Sequence, residues 1–391
     1  MRVLQLHAGY RVPAGEDTVV ESEARALERG GHEVHQHIVN NPTEIGPTIR
    51  TIARSSYNRH AAREVTELAG SFGPDIAHVH NTWFALSPSV VEAAAATAPV
   101  VMTIHNYRLG CLGADLFRGD DVCTVCVGRT PLRGVAHGCY RNSRTLSAVA
   151  AFEVMTARRR GVLDAHVSVF VAPSRFMADR LIAIGLPADR LVVKPHFVAD
   201  PGPRIAPPSA SREVLCIGRL APGKGLPTLL RAWERYSSAA EHRGSEPMEL
   251  VIIGDGPRAP ALREWAPRGV RFEGWLDRDV VVARMLAARA FIFPSEWYEP
   301  FGMVLLEAMS AGLPIVASNA SDARRIADAP VRLVVPAGDD AALAAALDGL
   351  DDATVDAVGA RNRLRFEQTY TEQVGLRDLE RLYDGAMEST R

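Results

Sequence analysis

Short apolar runs alternate with amphipathic stretches along almost the whole chain, and the alternation is interrupted once. Residues 3–7, 32–39, 76–80, 100–104, 167–171 and 191–194 read as strands, with helical spacing over 18–29 and an Ala-rich helical run at 88–97. Strands separated by helices require a parallel sheet, because each connection must cross back over the sheet and cover a face. The interruption is 199–211, where four prolines in 13 residues stop regular structure and stiffen a linker. The alternation then restarts, with strands at 214–217, 249–253, 270–272, 290–293 and 314–317 and helices at 226–237, 280–288 and 302–311. The expected architecture is α/β, with two doubly wound parallel-sheet domains at 1–198 and 212–370. One more amphipathic helix lies in 371–391. Ligands of such sheets collect outside the carboxyl ends of the strands, so the cleft between two such domains is the expected site.

Composition narrows the function. Lys and Arg number 44 against 46 Asp and Glu, a formal net charge of -2. That balance argues against a dedicated nucleic-acid binder. No apolar run is long enough to span a membrane, and the first residues lack the apolar core of a signal peptide. The expected location is cytoplasmic, with peripheral contact at the inner membrane face as an option. Arg141, Arg144 and Arg158 to Arg160 form a basic stretch that suits anionic lipid, or equally a solvated helix face. The Ala- and Arg-rich, Lys-poor composition suggests a bacterial source.

Several motifs carry competing readings. The segment 218–225 nearly matches a phosphate-cradling loop and has Arg219 and Lys224, but Gly225 stands where a hydroxyl would bind Mg²⁺. A Gly-rich turn that binds phosphate remains, as does a plain tight turn. Asp277 and Asp279 have the spacing of a metal-binding pair, yet precede a helical run where Asp caps and favours the dipole. His80 and His105 end neighbouring strands; a lone histidine there is ordinarily a core residue. Cys216 reads as a small core residue.

The densest signal is 293–318. A buried strand ends at Phe293, a loop carries Glu299, and a helix begins near Gly302 with Glu307 inside it. The open amides of that helix start suit a diphosphate. Two carboxylates flanking it, Glu299 toward a sugar and Glu307 toward a ribose diol, describe a sugar-nucleotide pocket.

The run from Glu299 through Phe301, Gly302, Met303 and Val304 to Glu307, continuing to Gly312 and Pro314, resembles the signature of retaining glycosyltransferases of the GT-B fold, most closely glycosyltransferase family 4. The resemblance covers nearly the whole chain in order and implies two facing Rossmann-like domains with an inter-domain cleft. It assigns donor binding to Gly15, Gly218, Arg219, Lys224, Gly254, Leu276, Glu299, Phe301, Gly302, Met303, Val304 and Glu307. The family has two adjacent glycines where this chain has Ala14 and Gly15. His105, Glu299, Arg219 and Lys224 are the implied catalytic set. In this company His105 passes from core residue to active-site match, while His80 keeps its structural reading. The implied donor is a nucleoside-diphosphate sugar, transferred with retention and without a catalytic metal or other cofactor. The acceptor class is a sugar, a lipid-linked glycan or a small natural product. A nucleotide-sugar epimerase or hydrolase on the same fold, and a non-catalytic zinc-containing binding protein, are the alternatives. The last helix is implied to return to the N-terminal domain.

Four of the five cysteines cluster in an insert at 107–141 as Cys111-x₁₁-Cys123-x₂-Cys126-x₁₂-Cys139. That ligand count suits a structural zinc; two disulfides and free thiols are the other readings, and His137 could replace one thiolate. A subset of the resembled family carries a similar stretch flanked by Tyr-Arg pairs, here Tyr107-Arg108 and Tyr140-Arg141.

Overall fold

The computed structural model describes residues 1–9, 15–41 and 55–389. The chain divides into two compact units: Met1–Arg118 with Cys123–His196 and Gln373–Arg391, and Phe197–Glu372 with Gly119–Val122.

The strands of the first unit, in chain order, are β1 (Arg2–Gly9), β2 (Glu33–Asn40), β3 (Ile76–Asn81), β4 (Val100–Thr103), the short pair β5 (Phe117–Arg118) and β6 (Asp121–Val122), then β7 (Val169–Ala172) and β8 (Leu191–Val193). Six of them form one sheet in the order β2-β1-β3-β4-β7-β8, parallel throughout. β1 and β3 are buried along nearly their whole length. Successive side chains of a strand face opposite sides, so both faces must be covered, and even the polar Gln5, His7, His78 and His80 on these strands are buried. β2 lies at the sheet edge with exposed and half-buried residues.

The second unit has β9 (Glu213–Ile217), β10 (Glu249–Ile253), β11 (Val270–Gly274), β12 (Ala290–Phe293), β13 (Ile315–Ser318) and β14 (Val334–Val335) in the order β11-β10-β9-β12-β13-β14, also parallel. Its two cores follow the strand period. Val214, Cys216, Leu250, Ile252 and Ile292 face one side, where Leu229 and Trp233 of the helix Leu226–His242 and Leu343 and Leu347 of Asp340–Asp348 cover them. Leu215, Val251, Ile253, Phe291 and Phe293 face the other, beneath Leu305, Leu306 and Met309 of the helix Met303–Ser310 and Phe366 of Asp352–Thr369. Cys216 is a core residue, and burial pushes its thiol up to about 12.

The proline-rich 199–211 packs firmly on the second unit. Arg204 donates to the carbonyls of Met285, Ala288 and Ala311 at 2.6–3.2 Å, and Arg363 holds the Asp200 carboxylate with two nitrogens. Pro208–Ala210 form a turn of 3₁₀ helix where no regular structure was expected. The helix Glu372–Glu388 belongs to the first unit, where Tyr383 is fully buried and Leu376 packs against Gly30.

Candidate functional site

In each sheet the strand order reverses once, between β1 and β3 and between β9 and β12, and ligands favour the carboxyl ends at such a switch. In the second unit the loops leaving those two strands are 218–225 and 294–302. Their glycines let backbones approach. A Cβ on Gly225 would lie 1.8 Å from the Pro294 carbonyl oxygen, and one on Gly254 would lie 2.0 Å from that of Gly218. Both have positive φ, at 70° and 132°. Gly254 therefore serves loop-on-loop contact between the β9 and β10 ends, whatever else it touches.

Where those loops meet, Lys224 Nζ lies 2.7 Å from Glu299 Oε2. The same oxygen accepts from the Trp297 indole at 2.6 Å and from Ser295 Oγ at 3.2 Å. Lys224 also lies over the Trp297 ring, 4.7 Å from its centre. Three donors on one oxygen fix the Glu299 carboxylate and leave its other oxygen for a ligand. Glu296 and Trp297 donate their amides to the Gly223 carbonyl, which ties the two loops together. Trp297, Ser295 and Thr228, which donates to Glu296 at 2.5 Å, were not singled out from sequence. Trp297 lay in plain view two residues before Glu299.

Gly302 caps the helix Met303–Ser310 with φ 86° and no side-chain cap, so the first amides of that helix are open. Met303 and Val304 stand half-buried on that first turn, whereas Phe301 is buried in the apolar core and offers a ligand its backbone only. Glu307 lies within the same helix, 3.4 Å from Arg278. Burial raises its carboxyl above the ordinary range, with Arg278 opposing. Leu276 packs on the core just after β11, beside an exposed Trp275. Gly218 is exposed at the end of β9. Arg219 is exposed too, with no side-chain hydrogen bond or ion pair among the described residues. Asp277 occupies the N-cap position of Arg278–Ala287 but makes no side-chain cap bond.

The first unit gathers an unexpected set of histidines. His105 follows β4, and its Nε2 shares a hydrogen with His80 Nδ1 at 3.1 Å. His196 stacks on His105 at 5.4 Å between ring centres. His80 Nε2 and His78 Nδ1 lie 3.6 and 3.7 Å from Glu23 Oε2, and Lys194 Nζ is 2.6 Å from Glu23 Oε1. Burial holds His105 and His80 well below their ordinary range, and neighbouring positive groups add to it. Both are neutral imidazoles near pH 7. His80 is thus buried, as its structural reading requires, and also the partner of His105. Glu23, His78 and His80 bring ligand atoms within 4.8 Å of one another, the spacing of a metal site. They do not suit one. Both nitrogens of His78 are engaged, by Tyr383 and Thr103 at 2.8 Å each, and the Lys194 ammonium already neutralises Glu23. Gly15 is the exposed first residue of the helix Gly15–Arg29; the preceding loop, with Ala14, lies outside the described residues.

The four insert cysteines are partly buried in the first unit, and no disulfide joins them. Burial pushes the Cys139 thiol up, and Cys111, Cys123 and Cys126 are near enough to add to it. The flanking Tyr-Arg pairs have a packing role. Arg108 lies over the rings of Trp83 and Tyr140 at 4.3 and 5.3 Å. The basic stretch is also largely engaged. Arg158 donates to the Leu109 and Arg129 carbonyls, Arg144 to that of Ala136, and Arg160 meets Glu92 at 3.5 Å.

Comparison with known proteins bears on the family and the fold. The family model for Glycosyltransferase Family 4 matches residues 14–200, and that for Glycosyl transferases group 1 matches 211–352. A glycogen synthase of Mycobacterium tuberculosis is 28% identical over 258 residues, 64% of this chain and 53% of that protein. The chain thus spans about half the length of the first curated relatives it matches. A phosphatidyl-myo-inositol mannosyltransferase of Mycolicibacterium smegmatis is 26% identical over 359 residues, covering 87% of this chain and 82% of the relative. Among solved structures, a glycosyltransferase from Rickettsia africae superposes with a TM-score of 0.70 at 16% identity, covering 99% of this chain and 98% of that one. HepE from Anabaena, solved in complex with UDP, gives 0.67 at 16% identity, covering 98% and 100%. With both parallel-sheet units and both halves of the sequence matched, the chain belongs to the GT-B glycosyltransferases, family 4 in its N-terminal half and group 1 in its C-terminal half.

Proposed function

We propose that this protein transfers a sugar from a nucleoside-diphosphate sugar to an acceptor hydroxyl, with retention at the anomeric carbon. The observation that carries the reading is the Lys224–Glu299 pair beside the uncapped helix at Gly302, at the switch point of the second sheet. The helix amides, Arg219 and Lys224 would hold the diphosphate, so cationic side chains rather than a catalytic metal balance the charge that develops on the leaving group. Glu299 would accept from hydroxyls of the transferred sugar, and Glu307 from the ribose diol. Gly218, Gly254 and Leu276 would border the nucleotide. His105, held neutral, would hydrogen-bond a sugar hydroxyl. With the front-face course expected for retention, the departing phosphate oxygen takes the acceptor proton as the new glycosidic bond forms.

The matched mannosyltransferases and the UDP complexes support a nucleotide-sugar donor and a sugar or lipid-linked acceptor. The four cysteines would hold a structural zinc, for which thiolates are preferred ligands, and Cys111, Cys123 and Cys126 already lie near enough to Cys139 to act on its thiol. Among the described residues no helix is long and apolar enough to cross a membrane. The test is proton NMR of UDP-, GDP-, ADP- and dTDP-sugars incubated with the protein, with and without acceptor glycans. Acceptor-dependent release of nucleotide, with a product keeping the donor's anomeric configuration, is expected. Rapid consumption of donor without acceptor would favour an epimerase or hydrolase instead. Elemental analysis showing no stoichiometric zinc would refute the metal assignment.

A further inference from the structure

The protein engages only one of the two ring nitrogens of His105. Nε2 lies 3.1 Å from His80 Nδ1, whereas Nδ1 forms no hydrogen bond among the described residues. The half-buried ring lies nearly parallel to those of His80 and His196, at 23° and 15°, which fixes its plane. Both His80 and His105 are neutral, so a single hydrogen lies between them. Its direction decides whether the open nitrogen of His105 is a donor or an acceptor.

That direction is set deeper in the first unit, by Glu23 on the helix Gly15–Arg29. His80 Nε2 lies 3.6 Å from Glu23 Oε2, and both atoms are buried with no hydrogen-bond partner among the described residues. His78 cannot serve that oxygen, because Tyr383 and Thr103 take its two nitrogens at 2.8 Å each. Although burial opposes it, Lys194 Nζ at 2.6 Å from Oε1 keeps Glu23 ionised. A bare His80 Nε2 would set its lone pair against this buried carboxylate. A protonated one turns an N–H dipole toward it instead. His80 therefore carries its hydrogen on Nε2 and presents Nδ1 as an acceptor. His105 Nε2 must donate to that acceptor, which leaves the lone pair of His105 on Nδ1.

We propose that Glu23 and His80 are positioning residues that fix His105 as its Nε2–H tautomer, so that Nδ1 accepts a hydrogen bond from a hydroxyl of the bound sugar. The inference rests on the glycosyltransferase reading and adds a selectivity to it. A hydroxyl or an amide N–H meets Nδ1 favourably, and a carboxylate or carbonyl oxygen in its place is repelled.

The test is two-bond ¹H–¹⁵N NMR of the full chain carrying ¹⁵N-histidine near neutral pH, where protonated and bare ring nitrogens resonate far apart. His105→Gln identifies the His105 signals. The unaltered protein should show a protonated Nε2 and a bare Nδ1 at His105. A protonated Nδ1, or an even mixture, would overturn the proposal without any need of a variant at Glu23. In Glu23→Gln, Lys194 keeps the amide oxygen and the NH₂ group turns to His80, so both tautomers should reverse. Turnover of the sugar nucleotide should then fall about tenfold or more, the loss of one hydrogen bond at the site. An unchanged His105 tautomer in folded Glu23→Gln would equally overturn the proposal. UDP-, GDP-, ADP- and dTDP-sugars titrated into the same samples separate the two levels. A response with the opposite tautomer contradicts the positioning roles alone. The expected tautomer with no response to any of the four contradicts the glycosyltransferase reading, and with it the sugar contact.

Discussion

A methyl group at Gly225 would press within 1.8 Å of a backbone oxygen, a contact that only movement of the whole 294–302 loop can relieve. Gly225→Ala should therefore destabilise the protein by several kcal/mol in denaturant unfolding, in the range of severe packing defects. Gly385, in the last helix, faces open space without a positive φ. Gly385→Ala should leave stability unchanged or raise it by up to about 1 kcal/mol. Equal effects of the two substitutions would contradict the loop contact. At Lys224 the effect should fall on chemistry. Lys224→Met should lower kcat about 10²–10³-fold, the loss found when one transition-state donor is removed, with little change in melting temperature. Glu299 and Glu307 could be paired from the sequence because they share a loop and the helix after it; Lys224, 75 positions before Glu299, was read from its own glycine-rich turn. The Glu23–Lys194 contact was not. It joins residues 171 positions apart, and neither has a neighbour that announces the other.

At the scale of elements, inner strands such as β10, β12 and β13 were read well because burial on both faces makes each a dense apolar run. The helix Asp352–Thr369 escaped the reading for the opposite reason. Its buried face includes Thr354, Gly359 and Asn362, and a Cβ on Gly359 would lie 2.4 Å from the Gly312 oxygen. Close packing of small and polar residues leaves no apolar stripe to read. Arg144–Arg160 was seen only as a charge run, though its arginines bind carbonyls and its other face is core. The last helix was legible as amphipathic, but not its anchor, the Tyr383 hydroxyl 2.8 Å from His78 Nδ1. Tyr383→Phe removes that bond while keeping the ring. It should cost about 1–3 kcal/mol in thermal or denaturant unfolding, because His78 loses a buried partner. A cost near zero would mean that the hydroxyl does not hold the helix.

For the whole molecule, the histidine cluster makes stability depend on pH. Burial holds His78 at about 4 and His196 at about 3, against 6.5 for a free imidazole. Below pH 6.5 the unfolded chain takes up these protons and the folded one does not, so stability falls as pH drops from 6.5 toward 4. Glu23 acts in the same direction. Burial alone would raise its carboxyl, but Lys194 and His78 outweigh that and hold it below its ordinary value. Each histidine contributes on the order of 3 kcal/mol by pH 4. The first unit, which holds all of these groups, should unfold first in a melting series from pH 7.5 to 4; a flat profile would contradict neutral burial of the cluster.

The central claim is a nucleoside-diphosphate sugar site built around Gly302 and Glu307, and a thermal-shift panel of UDP-, GDP-, ADP- and dTDP-sugars tests it most directly. At least one should raise the melting temperature of the unaltered protein, and the shift should vanish in Glu307→Ala. No shift with any of the four, or the same shift in Glu307→Ala, would contradict the claim.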